Sequence, residues 1–322
     1  MLGRILGNHP EIHTFEELHF FEKIWGEKNM RQRLSEAEAL RLVMKLIRSE
    51  YRRDKWKQFT VGMEVFGTHI IEEMTDRPLT PLDVYESFLR YVSRHHGKTI
   101  PCKQTPAYVY YLPEILEAFP EARIINIVRD PRDVLLSQKR KWKQRFLGGK
   151  YRSVSWCLFK WANYHPVSTS LKWRAAAHKA LAESGNRRVC SVRFEDILDY
   201  PEREIEKLCR FAGVTYQEIM LDVPVIGSSF LPDRADIRGI DKTRKENWKG
   251  GGLNSSELWI CQRLLGGLMK QWGYESTPIV PNMMRVLLHA VTCPLKLAAA
   301  SLFLFSKMRN RGKAVRRRLK SL

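Results

Sequence analysis

Apolar positions along this chain recur with two periods. Short apolar runs bounded by turn residues, KTIPCK (98–103), ARIINIV (122–128) and RRVCSVRF (187–194), have the length and β-branched content of strands. Between and after them, spacings of three and four predict helices over YLPEILEAF (111–119), DVLLSQKRKW (133–142), the run from Ser155 to Ser184, and PEREIEKLCRFAG (201–213). In the last of these, Ile205, Leu208, Cys209 and Ala212 share a face. Near the start, Leu2, Ile5, Leu6 and His9 also share a helical face, with no capping residue ahead of them. HTFEELHFFEKIW (13–25) reads by its period as a surface helix burying Phe15, Leu18, Phe21 and Trp25. Alternating strands and helices predict an α/β fold, a three-layer, mostly parallel sheet flanked by helices, with ligands at the carboxyl ends of the strands. Without repeats or low-complexity linkers before Glu275, residues 1–275 read as one domain and 276–322 as an apolar and basic helical tail.

Charge refines this picture. The net charge is +20, yet no acidic residue follows Glu275 while ten lysines and arginines do, so half of the excess belongs to the tail. The rest favours an anionic ligand or a solvated basic face. Six cysteines are scattered without metal-ligand spacing, which predicts neither a zinc site nor a disulfide framework and suggests a reducing, cytoplasmic location.

The segment IVRDPRDVLLSQ carries the most chemistry. Asp130 can cap a helix, Pro131 suits its first position, and Asp133 complements its dipole. Arg129 is left over, a permanent cation at a strand end beside a helix N-terminus, with the Ser137 hydroxyl two turns on. This is either an anion site or a surface ion pair. The loop IRGIDKTRKENWKGGGLN (237–254) adds five basic residues, one tryptophan and three consecutive glycines, a cationic loop with backbone freedom.

The order of HPEI, QTPAYVYYLPEILEAFPEARIINIVRDPRD, VRFEDILDYPEREIEKLCRFAGV and ENWKGGGLNSSEL, followed by a helix ending at Trp272, Gly273 and Tyr274, resembles the sulfotransferases that use 3′-phosphoadenosine 5′-phosphosulfate (PAPS) and share a P-loop-like fold. The resemblance implies that Arg129 and Ser137 hold the 3′-phosphate. It makes Arg244, Lys245 and Lys249 phosphate contacts in a loop closing over the nucleotide, and Trp248 a packing residue. Lys103 and Gln104, at the family's Lys-before-Thr-Pro position, become sulfonate contacts, as does Ser229 beside Ser228; Gln104 can donate a hydrogen bond there but supplies no charge. Similarity to the tyrosyl-protein sulfotransferase pattern names Glu17 as the base that takes the acceptor proton, with His19 as the substitute. From the residues alone, the glutamates read as solvated and Glu195 and Asp196 as turn formers. The expected reaction is in-line sulfonate transfer from PAPS to a hydroxyl or amine on a carbohydrate, lipid headgroup or small metabolite, with no metal required.

In the family a strand and a 5′-phosphosulfate loop precede the helix that LGRILGNHPEI resembles. Their absence ahead of Met1 leads to the expectation of an N-terminally incomplete domain. The alternative is a catalytically impaired, nucleotide-binding or membrane-associated scaffold. A P-loop kinase is disfavoured because no GxxxxGK[ST] segment occurs, and no specific nucleic-acid readout is expected. In the tail, VLLHAVTCPLKLAAASLFLF (286–305) has the length of a membrane span but carries Pro294 and Lys296 near its middle, with His289, Thr292 and Lys296 along one stripe. The pattern suggests a helix lying in an anionic membrane surface, or one packed on the domain or a partner subunit.

Overall fold

A computed structural model describes residues 1–21, 30–51, 62–74, 78–143, 146–147, 150–151, 153–226 and 234–305. The chain divides after Pro120 into two compact units.

The first unit opens with helix α1 (Leu2–Gly7), as the pattern predicts, followed by strand β1 (Ile12–Phe15). β1 corrects the reading of a helix from residue 13. It pairs in parallel with β2 (Ile100–Lys103), in register from Ile12 opposite Ile100 to Phe15 opposite Lys103. Phe15, Leu18, Phe20 and Phe21 are buried all the same, so the apolar positions are core positions served by a different backbone. Between the strands lie α2 (Glu36–Glu50), α3 (Met63–Glu72) and α4 (Pro81–His95). A Ser35/Glu38 capping box starts α2, and Thr80 with Pro81 starts α4. α2 turns Leu42, Val43, Leu46 and Ile47 inward, and α4 does the same with Val84, Tyr85, Phe88 and Val92. Lys98 closes the start of the unit by donating from Nζ to the carbonyls of Gly7, His9 and Ile12 at 2.6, 2.9 and 2.9 Å. A 3₁₀ turn at Pro106–Tyr111 and α5 (Leu112–Ala118) complete the unit.

In the second unit, β3 (Ile124–Val128) leads through Asp130 into α6 (Pro131–Arg140). The short strands β4 (Phe146–Leu147) and β5 (Lys150–Tyr151) pair antiparallel. The run predicted as one helix from Ser155 to Ser184 is two, α7 (Val154–Asn163) and α8 (Pro166–Ala182). The break has a local cause, since the residue before proline is driven out of the helical region, and His165 is extended at φ −154°, ψ 136°. β6 (Val189–Arg193) pairs in parallel with β3, so α6 to α8 form the crossover that parallel pairing requires. α9 (Phe194–Asp199) and α10 (Pro201–Ala212) follow, and α10 fully buries Ile205, Leu208 and Cys209. Gly213 ends α10 in the left-handed region at φ 74°, which lets the Val214 N–H reach the Cys209 carbonyl. After β7 (Pro224–Val225) and β8 (Arg234–Arg238) comes α11 (Ser255–Gln271), started by an Asn254/Glu257 capping box. Val128, Leu135, Leu136, Trp248, Leu265, Met269 and Tyr274 gather into this unit's core.

The tail forms α12 (Met283–Phe305), which packs on α7, α8 and α11. Among the described residues no helix is long and apolar enough to cross a membrane. The polar stripe of the tail points inward: Lys296 Nζ donates to the Tyr164 carbonyl at 3.2 Å and sits over the Trp161 ring, while the His289 ring meets that of His165. With its polar side on its own protein, the helix turns its apolar side outward.

Candidate active site

The carboxyl end of β3 is assembled by the RDPRD segment. Asp130 accepts the Arg132 N–H at 2.8 Å as the helix cap and also pairs with the Arg132 guanidinium. Its own N–H donates to Glu195 Oε1 at 3.0 Å, and Glu195 Oε2 accepts the Tyr274 hydroxyl at 2.8 Å. Glu195 is therefore a buried tie between β3, α9 and the segment after α11, and not merely a turn former. Burial and the carboxylate beside it drive the Tyr274 hydroxyl far above its ordinary range, so it stays a donor. Arg132 continues the bracing by donating to the Glu275 carbonyl and lying 4.0 Å from the Trp248 ring centroid.

Arg129 emerges from this frame. Its guanidinium lies 4.6 Å from the Phe194 ring centroid, donates from Nη2 to the Arg244 carbonyl at 2.6 Å, and stands 3.6 Å from Asp133 Oδ2. Asp133 is fully buried, and its Oδ1 accepts the Trp248 N–H at 3.0 Å. One carboxylate thus fixes both Arg129 and the glycine-rich loop, and burial pushes its own pKa up. Gly252 sits at φ 96°, where a Cβ would come within 2.9 Å of Leu136 Cδ1 and of Arg140 Nη2, so the loop reaches α6 only because the residue is glycine.

The other predicted cations of this loop are placed differently. Arg244 is inside, bonding from Nε to Asp241 at 3.2 Å and from Nη1 to the Ile226 carbonyl at 3.1 Å. Lys245 pairs with Asp199, and Lys249 pairs with the exposed Glu246. Trp248 is buried beneath Arg132. Ser137 is half-buried in the second turn of α6. Ser228 and Ser229 fall outside the described residues.

The first unit holds a second constellation. Phe15 ends β1 opposite Lys103, which ends β2, and Glu16 and Glu17 follow directly. The Glu16 N–H donates to the carboxylate of Glu50 at 3.1 and 3.2 Å, which anchors the loop to α2. Glu17 Oε2 lies 3.2 Å from His19 Nε2, so the two base candidates meet; His19 adopts φ 51°. The Phe20 N–H donates to the Tyr108 hydroxyl at 3.1 Å, and its ring stacks on Tyr85 at 4.0 Å. Burial holds the Lys103 amine down at about 8, although Glu50, Glu17 and Glu16 oppose the shift. Gln104 is exposed.

Whether such groups suit an anionic nucleotide can be judged from their unsatisfied donors. Among the described residues, the buried atoms Arg129 Nε, Arg244 Nη2 and Trp248 Nε1 in the second unit, and Lys103 Nζ in the first, have no hydrogen-bond partner. Buried donors of this kind are costly unless an acceptor meets them, and three of the four belong to permanent or titratable cations. They fit a phosphate and a sulfonate. Asp133, Glu195 and Glu50 were not singled out as site residues from the sequence. For Asp133 the four-residue spacing from Arg129 was an available signal; Glu195 and Glu50 act on backbone groups 65 and 34 residues away.

The family model described as "Sulfotransferase family" matches residues 1–218. The chain is 27% identical over 198 residues to nodulation protein NoeE of Sinorhizobium fredii, covering 56% of this chain and 46% of that one. It is 24% identical over 203 residues to the omega-hydroxy-beta-dihydromenaquinone-9 sulfotransferase Stf3 of Mycobacterium tuberculosis, covering 62% and 47%. The match to the protein-tyrosine sulfotransferase of Drosophila melanogaster is 22% over 171 residues, covering 52% and 32%. The chain thus spans half or less of the length of these curated relatives. Among solved structures, the sulfotransferase domain of the Synechococcus PCC 7002 olefin synthase superposes with a TM-score of 0.52 at 19% identity, covering 86% of this chain and 90% of that one, a likeness of fold. With a family model spanning two thirds of its length, and the strand, capped helix and arginine of its central motif folded as described, the chain belongs to the sulfotransferase family.

Proposed function

We propose that this protein transfers the sulfonate of PAPS to an acceptor hydroxyl or amine. The observation that carries the reading is Arg129, a cation at the end of β3 braced by Asp133 and Phe194, with a buried Nε directed at no acceptor among the described residues. Arg129 and Arg244 bind the nucleotide phosphate, with Ser137 adding a hydroxyl, and Trp248 keeps the loop seated. When bound, PAPS supplies the sulfonate and departs as 3′-phosphoadenosine 5′-phosphate.

Glu17 takes the acceptor proton as the acceptor atom bonds to sulfur and the bond from sulfur to the 5′-phosphate oxygen breaks. His19, in hydrogen-bond reach of Glu17 Oε2, orients that carboxylate and offers the proton a next site. Lys103 supplies positive charge to the sulfonate, a role the uncharged Gln104 cannot fill. The acceptors in the names of two relatives, an omega-hydroxy-beta-dihydromenaquinone-9 and a protein tyrosine, both carry hydroxyls. That supports a hydroxyl here, and α2 to α4 are the elements that would shape its binding.

The test is incubation of the full chain with radiolabelled PAPS and a panel of hydroxylated quinones, tyrosine peptides and sugars. Label should appear in one acceptor class and vanish with Arg129→Ala. Nucleotide binding without transfer to any acceptor would instead favour a nucleotide-binding scaffold.

A further inference from the structure

The inward direction of the polar stripe of α12 leaves its outer face apolar. Met284, Leu287, Leu288, Val291 and Leu295 lie on it, with Met284 83% and Leu295 66% exposed. α12 packs beside α7, whose Val154, Leu158 and Trp161 are each more than half exposed, so the apolar surface runs across both helices. A groove of about 520 Å³ lined by Trp142, Lys143, Val154, Cys157, Leu158 and Trp161 extends it. Exposed apolar side chains gathered on neighbouring helices mark a surface for interaction.

The arrangement is held in place. Asn282 is clasped by Ser256, whose hydroxyl donates to the Asn282 carbonyl at 2.9 Å and accepts its N–H at 3.1 Å. Asn282 Oδ1 in turn accepts the Arg285 N–H at 3.2 Å. Gln262 and Thr277 fasten the approach to the helix with bonds of 2.8 and 2.9 Å. With Lys296 and His289 turned inward, α12 lies along its unit and does not leave it to cross a bilayer.

We infer that the outer faces of α12 and α7 dock in the plane of an anionic lipid bilayer. Charge complementarity selects this occupant. The chain carries no acidic residue after Glu275, and eight lysines and arginines stand between Lys307 and Lys320, immediately beyond the end of α12 at Phe305. An apolar helix face inserts into the boundary between headgroups and acyl chains, and a following cationic run is drawn to anionic headgroups. A second copy of this chain would bring the same net positive charge to the face. The inference is independent of the sulfonate-transfer reading.

The experiment floats the full chain with phosphatidylcholine vesicles with and without phosphatidylglycerol, comparing it with Leu288→Glu/Leu295→Glu. Binding to the anionic vesicles should exceed binding to the neutral ones by about tenfold or more. The double substitution, at exposed positions, should lower it by a similar factor. In the unaltered chain, brominated lipids should quench tryptophan fluorescence, with the quenching reduced in Trp161→Phe, a readout that does not depend on the folding of the glutamate variant. The inference is overturned if the full chain stays with the unbound fraction. Equal binding by the double variant, which would assign everything to the basic run, also overturns it. So does a concentration-dependent dimer that the double variant dissolves while neither protein binds vesicles.

Discussion

The two parallel strand pairs of this protein end in opposite electrostatic arrangements. At the end of β3, a permanent cation is held by a fully buried carboxylate, an aromatic face and a backbone carbonyl, so Arg129 has its direction set by Asp133, Phe194 and the loop at Arg244. At the end of β2, a titratable amine is buried without a hydrogen-bond partner among the described residues, and the carboxylates near it sit on a loop held by the Glu50 side chain. The first is pre-organised for a ligand of fixed charge. The second keeps groups that can gain or lose a proton close together, as proton transfer requires.

The largest effect should come from the titratable side. Glu17→Gln removes the proposed proton acceptor while leaving the cations alone, so turnover should fall by about 10² or more with nucleotide affinity unchanged. A near-normal rate would move the base to His19. Lys103 should sharpen the contrast through pH. Its amine titrates at about 8 in the folded chain against 10.5 when free. The unfolded chain therefore holds the proton more strongly, and stability rises as pH climbs from 8 towards 10.5. Lys103→Met should be more stable than the parent at neutral pH by on the order of 3 kcal/mol, the advantage closing towards pH 10.5, while turnover falls. Denaturant midpoints across that range check it, and a constant difference would contradict the assignment.

On the pre-organised side, Asp133→Ala strips a partner from both Arg129 and the Trp248 N–H and should cost about 1–3 kcal/mol of stability. Tyr274→Phe, which removes the donor to Glu195, should cost about 1 kcal/mol, measured the same way. If the two changes cost equally little, the rigidity claimed for this end fails.

This difference also explains what could be read from the sequence. RDPRDV was legible because each residue has a local role: strand end, cap, first helical position, dipole partner. The bracing by Glu195 and Tyr274 was not, since it joins groups 65 and 79 residues apart. β1 was read as helix because Phe15, Leu18 and Phe21 fall at a helical period, while its pairing partner lies at residue 100 and leaves no trace in the local pattern. The expectation of one helix from Ser155 to Ser184 passed over Pro166, whose restriction of the residue before it breaks the run into α7 and α8. The stripe of His289, Thr292 and Lys296 was recognised correctly as a stripe. Its direction was set by Tyr164, Trp161 and His165, which only the fold brings beneath it.

In the proposed reaction the end of β3 recognises a 3′-phosphorylated nucleotide through Arg129. Calorimetric titration of the full chain with 3′-phosphoadenosine 5′-phosphate and with adenosine 5′-phosphate tests it directly. The doubly phosphorylated nucleotide should be preferred by about 10², a preference lost in Arg129→Ala and only partly restored in Arg129→Lys, which returns the charge without the bidentate fork. Equal affinity for the two nucleotides, or a preference that survives Arg129→Ala, would contradict it.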